Sequence, residues 1–108
     1  MGVTALDAAP VFDALGDPNR LRIVIWLCEH GPCSTSAVTQ AIPATRQAAA
    51  KHLLQLESAR LVTSAKRGRE RIWTVQPKSL TAAGDYLGAL SRQWDRRIDR
   101  LRALVEDG

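Results

Sequence analysis

Apolar positions recur with a helical period along most of this chain and alternate only in one short stretch. Residues 5–15 place Leu6, Val11, Phe12 and Leu15 as anchors of a first helix. Pro10 is expected in its first turn or ahead of it, because an interior proline removes a backbone hydrogen bond. Gly16 ends this helix. Asp17 and Pro18 then read as an N-cap followed by a proline at the first helical position. Leu21, Val24, Ile25 and Cys28 form an i, i+3, i+4, i+7 stripe. Ile23, Trp26 and Leu27 add apolar surface on other sides, which predicts a widely buried second helix. Gly31-Pro32 stops it. A short helix is expected over 34–42, with its cap among Ser34, Thr35 and Ser36 and an apolar side of Val38, Ala41 and Ile42.

The stretch 43–60 organises the rest. Pro43-Ala44 is a tight turn, and Thr45 is a good N-cap because its hydroxyl accepts a free backbone N–H of the first turn. Ala48, Ala49 and Ala50 favour helix strongly. Ala49, Leu53 and Leu56 make a buried stripe, which leaves Arg46, Gln47, Ala50 and Lys51 on another face. Two short helices joined by a tight turn are a helix-turn-helix. In that motif the N-terminal residues of the second helix reach base edges, and Arg and Gln make the forked hydrogen bonds that distinguish guanine and adenine. An ordinary amphipathic helix with a solvated polar face has the same pattern, so the neighbouring segments decide between the two.

Residues 61–65 and 71–75 read as two strands, since their β-branched and aromatic residues suit a pleated surface. Lys66, Arg67, Gly68, Arg69 and Glu70 form the loop between them, with Gly68 available for a positive φ. A basic hairpin directly after a candidate recognition helix reads as a wing, and Arg71 at the start of the second strand adds to its charge. Beyond Pro77, residues 80–105 read as one long helix. Leu87, Leu90, Trp94, Ile98, Leu101 and Val105 are spaced 3, 4, 4, 3 and 4, a two-per-heptad seam. Gly84 and Gly88 weaken its start or mark close packing there. The seam needs a partner, either the chain's own core or the same helix of a second copy. The second is preferred, with Phe12 and the first helix contributing. The fold expected is mostly α with a small β-hairpin: five helices and a two-stranded wing, in one domain over residues 1–108.

Composition sharpens the functional reading. The chain has 108 residues and a net charge of +4. Residues 43–78 carry eight basic residues against Glu57 and Glu70, whereas residues 1–42 are net negative and residues 79–108 balance. Excess positive charge confined to one part of a fold is a footprint for a polyanion, here double-stranded DNA. Residues 1–10 show no basic start followed by an apolar run, position 6 is leucine where a myristoylation signal wants Ser or Thr, and no apolar run is long enough to span a bilayer. A cytoplasmic protein with no membrane partner is expected. No paired carboxylates, nucleophile–base set or phosphate loop is legible, so an enzyme is not expected.

One cluster carries other chemistry. Cys28, His30 and Cys33 lie within six positions. Two thiols and an imidazole suit a soft metal or a redox pair, so a metal ion or an oxidant is the effector this cluster would sense. The plainer reading makes Cys28 a small core residue, and His30 and Cys33 loop residues. His52, on the recognition helix, is expected to pack or to touch a phosphate.

The order helix, helix, helix-turn-helix, winged hairpin, helix resembles the ArsR/SmtB family of bacterial winged-helix repressors. The resemblance is carried by F-D-A-L-G-D-P-N-R-L-R-I at 12–23, H-G-P at 30–32, K-H-L-L-Q-L-E-S-A-R-L-V at 51–62 and G-R-E-R-I-W at 68–73. It implies a homodimer that binds a partly palindromic operator and lets go when an effector binds. It also implies that Thr45, Arg46, Gln47, Ala50 and Lys51 face the operator and that Lys66 to Arg71 form the wing. The chain departs from the family's metal sensors. The helix over 34–42 has no cysteine pair, and the last helix offers Asp95, Asp99, Glu106 and Asp107 but no histidine. Carboxylates alone make a poor transition-metal site. The rival reading is a winged-helix protein-interaction module or co-regulator subunit with little DNA binding of its own.

Overall fold

The computed structural model describes residues 5–107, with side chains from Ala8 to Glu106. The expected anchor Leu6 and the carboxylate of Asp107 lie outside the described side chains. The elements are α1 (Ala5–Leu15), α2 (Pro18–His30), β1 (Cys33–Ser34), α3 (Thr35–Val38), a 3-10 turn (Thr39–Ala41), α4 (Arg46–Ser58), β2 (Val62–Arg67), β3 (Glu70–Val75) and α5 (Pro77–Asp107). The three strands form one antiparallel sheet in the order β1-β3-β2.

Local chemistry sets most boundaries. Asp17 caps α2 by accepting from the Arg20 backbone N–H at 3.1 Å, and Pro18 takes the first helical position. Gly31, at φ 78°, turns the chain out of α2. Ser34 caps α3 through the Ala37 N–H, and Thr45 caps α4 through the Ala48 N–H at 3.1 Å. The helix expected over 34–42 tightens to 3-10 form because Ile42 must be extended ahead of Pro43, and it is, at φ −135° and ψ 150°.

Three expectations are corrected. Pro10 sits inside α1 as its sixth residue, not in its first turn. Only the hydrogen bond to the carbonyl of residue 6 is lost there. Burial of Ala8, Val11 and Ala14 holds the helix on the core despite that loss. The buried stripe of α2 is Ile23, Val24 and Leu27, while Leu21 and Ile25 are 42% and 47% exposed and Cys28 is exposed. The helical period holds, but it leaves the phase free because apolar residues surround this helix on nearly every side. Contacts with α4 and β3 choose the phase. Finally, β1 is a third strand: Cys33 pairs with Trp73 and Ser34 with Ile72.

The core gathers α2, α4 and the sheet around Ile23, Leu53, Leu56, Leu61, Val38 and Val62, all almost fully buried. Among the described residues no polar or charged side chain is buried. Polar groups instead join the elements at their edges. Arg20 is the busiest of them: its Nε donates to the Ala14 carbonyl at 2.7 Å, one Nη to Gln55 Oε1 at 2.6 Å and the other to the Asp13 carbonyl at 3.4 Å. One guanidinium thereby ties the end of α1 and the start of α2 to α4. The buried Trp73 donates its indole N–H to Thr35 Oγ1 at 2.9 Å and fastens β3 to the helix-turn-helix.

The end of α4 is held by paired backbone bonds. Leu61 N–H reaches back to the Leu56 carbonyl and Arg60 N–H to the Glu57 carbonyl, the Schellman arrangement. Its left-handed position is Arg60, at φ 63°, where glycine is the usual occupant. Arg60→Gly should raise stability by about 1 kcal/mol, because strain in the left-handed region exceeds the extra flexibility glycine brings to the unfolded chain. Urea unfolding should show a higher midpoint at unchanged slope; an unchanged or lower midpoint rejects the strain. Arg20→Lys should cost about 1–2 kcal/mol, because one ammonium does not span the acceptors that the guanidinium fork reaches. A lysine variant as stable as the parent would show that the clamp contributes little.

Candidate nucleic-acid interface

On α4 the buried stripe Ala49, Leu53 and Leu56 is the one expected from spacing, and all three are fully enclosed. Burying it turns the opposite side of α4 outward. Thr45, Arg46, Gln47 and Lys51 are exposed, and Ala50 is half-buried on the flank. The side directly opposite the core is Gln47, Lys51, Leu54 and Ser58, at i, i+4, i+7 and i+11. Leu54 also belongs to this face, at 56% exposure, and is absent from the residues expected there. Its spacing from Gln47 and Lys51 was the available signal. His52 is half-buried and points its Nδ1 toward Asp17 Oδ2 at 3.7 Å, which supports the packing reading.

The wing is longer and tighter than expected. The strands run through Arg67 and Glu70, and the turn is Gly68-Arg69 alone. Gly68 takes φ 65°, as a two-residue hairpin with a positive first central φ requires. Lys66, Arg67, Arg69 and Arg71 are all exposed. Register sorts them by face: Lys66 lies opposite Arg71, on the side that carries the buried Val62 and Trp73, while Arg67 lies opposite Glu70 on the other side. Arg71 is engaged already. It donates to Ser64 Oγ at 2.9 Å, and Ser64 donates to Glu57 Oε2 of α4 at 2.8 Å.

The C-terminal seam is open to solvent in the single chain. Leu87, Leu90, Trp94, Leu101 and Val105 are 45–76% exposed, Leu104 widens the strip, and Ile98 is half-buried. Phe12 is half-buried in its own chain, its ring 6.3 Å from that of Tyr86. An added Cβ at Gly84 would meet nothing within 4 Å and one at Gly88 would meet only the Arg92 side chain, so close packing inside the chain does not explain these glycines. No helix among the described residues is long and apolar enough to cross a membrane.

The Cys28, His30 and Cys33 side chains do not gather. Cys28 is exposed on α2. His30 stacks on Trp26 with centroids 3.8 Å apart, its Nδ1 3.0 Å from the Trp26 carbonyl. Cys33 is half-buried in β1, not in a loop, and its thiol donates to the Gly31 carbonyl. Among the described residues no group of three or more His, Cys, Asp or Glu side chains is arranged to hold a metal ion.

No protein-family model matches the chain. Individual relatives do. The chain is 32% identical over 95 residues to the HTH-type transcriptional regulator Rv2034 of Mycobacterium tuberculosis, covering 88% of this chain and 85% of that protein. It is 33% identical to an ArsR-like transcriptional regulator from Rhodococcus sp. RHA1, with 92% of each chain covered and a TM-score of 0.79. Mb0332 of Mycobacterium bovis, described as a homodimeric winged helix-turn-helix DNA-binding domain and a possible ArsR-family regulator, shares the fold at 24% identity and a TM-score of 0.59, over 86% of this chain and 79% of that one. The order of elements, the capped second helix of the helix-turn-helix, the basic two-stranded wing and the extent of these matches agree: the chain belongs to the ArsR family of winged helix-turn-helix transcriptional regulators.

Proposed function

We propose that this protein is a cytoplasmic, homodimeric repressor that binds a partly palindromic DNA operator and is released by an effector. The observation that carries the reading is the outward side of α4, where Gln47 and Lys51 stand opposite the core and Arg46 is exposed on the flank of the first turn, beside a hairpin whose tip is basic. Arg46 and Gln47, in the first turn of the helix, supply base contacts in the major groove, with Thr45, Ala50 and Lys51 lining the approach. Lys66, Arg67 and Arg69 supply phosphate contacts, which position the protein and make affinity depend on salt.

Dimerisation follows from α5. The apolar strip from Leu87 to Val105 covers several turns of a helix that projects from the domain. Contiguous exposed apolar surface of this kind marks an interaction site. A second copy of the same seam is its best match, and the homodimeric description of Mb0332 supports that choice. Two-fold symmetry then places the recognition helices in half-sites about 34–36 Å apart.

The test is a titration into the protein's own promoter DNA at two salt concentrations, repeated with divalent metal and with oxidant. Affinity should fall with salt at a log–log slope of roughly −0.9 per phosphate contact. Gln47→Ala should lose discrimination between operator and scrambled sequence. Arg69→Ala should weaken both DNAs about equally and flatten the slope by roughly 0.9. Discrimination that survives Gln47→Ala would show that α4 is inserted in another orientation. Binding that is as tight at high salt as at low salt would discard the phosphate contacts. For the seam, Trp94→Glu should convert a sedimenting dimer to a helical monomer; a variant that stays dimeric, or a monomeric parent, would place the interface elsewhere.

A further inference from the structure

Arg71 carries a charge in the basic segment, yet its geometry differs from that of the other wing cations. Lys66 stands directly opposite it in the hairpin, and like charges at directly opposed positions repel. Arg71 instead turns along the diagonal to Ser64, whose partner in register is Trp73, two residues further on. The Ser64 hydroxyl has one proton. It gives that proton to the Glu57 carboxylate and accepts from the guanidinium, so the direction of the chain is fixed at both ends. The carboxylate is on the recognition helix and both other groups are on the wing. Glu57 and Ser64 are each half-buried, which limits competition from water for the bond between them, while Arg71 reaches Ser64 from the exposed side.

We infer that Glu57, Ser64 and Arg71 are positioning residues, a polar brace that sets the angle of the wing against the recognition helix. The inference rests on the DNA-binding reading for its consequence but not for its geometry. The brace does two things. It holds the basic hairpin tip in the plane that lets Arg67 and Arg69 meet phosphates while α4 occupies the groove. It also links a cation, through the Ser64 hydroxyl, to Glu57, one of two acidic residues between positions 43 and 78, whose charge would otherwise face a polyanion. Arg71 is therefore not counted among the phosphate contacts.

The experiment pairs a DNA-free measurement with a DNA-binding one. Spin labels at Ser58→Cys on α4 and Arg69→Cys at the wing tip, in a chain with Cys28 and Cys33 replaced by serine, report the wing-to-helix distance. Ser64→Ala and Arg71→Ala should each broaden that distance distribution, while Ser64→Thr, which keeps the hydroxyl, should leave it narrow. In unlabelled protein, Ser64→Ala and Arg71→Ala should each lower operator affinity about fivefold, and the double variant should be no worse than either, as for residues in one network. The salt slope should stay at its parent value. A slope that falls by roughly 0.9 in Arg71→Ala, with the distance still narrow, would make Arg71 a phosphate contact and overturn the brace. A narrow distance in Ser64→Ala would overturn it too. A distance that broadens in a protein that binds no duplex DNA would uphold the brace and reject the DNA-binding reading.

Discussion

The recognition surface of this fold depends on the burial of one face of α4. Ala49, Leu53 and Leu56 are fully enclosed by α2, α3 and the sheet, and a rigid helix with one face fixed has its opposite face fixed as well. The hydrophobic effect thus orients Gln47 and Lys51 without any contact of their own. The small Ala49 lets α4 approach its neighbours closely, and among the described residues no polar or charged residue is buried beside it, so apolar packing chooses the phase.

Polar side chains act only after that choice, at the seams between elements. Arg20 joins α1 and α2 to Gln55 on α4, Trp73 joins β3 to Thr35, and Ser64 joins the wing to Glu57. Each bond closes an angle that apolar packing leaves soft. A helix-turn-helix needs such stiffness, because a groove reader held at the wrong angle loses several contacts together. The Schellman end of α4 belongs to the same logic. It brings Leu61 into the core straight after the helix and aims β2 back across α4, and this chain tolerates an arginine in the left-handed region to do so.

The long α5 is the opposite case. Its first turns pack on the domain through Leu80, Ala83 and Tyr86, and the remainder extends away with its apolar strip uncovered. The radius of gyration, 18.4 Å, far exceeds the roughly 13 Å of a compact domain of this size. An exposed apolar strip of this extent marks an interaction surface rather than ordinary solvent-facing helix.

The helices, their caps, the stripe of α4, the basic hairpin and the seam of α5 were legible in the residues themselves. Periodicity, proline and glycine placement, and capping hydroxyls act over a few positions, so spacing alone reveals them. The phase of α2 was not legible, because Leu21, Ile23, Ile25 and Leu27 are equally apolar and only the surfaces facing them distinguish inside from outside. The strand at Cys33-Ser34 was not legible either: two residues carry no alternation, and their pairing with β3 arises some forty positions away. The Cys28, His30 and Cys33 cluster was the reverse: close in sequence, yet among the described residues its side chains form no group arranged to hold a metal ion. The clamp of Arg20 on Gln55 and the brace of Glu57, Ser64 and Arg71 belong to the tertiary structure alone, since hydrogen bonds between side chains depend on angles between elements that no local pattern records.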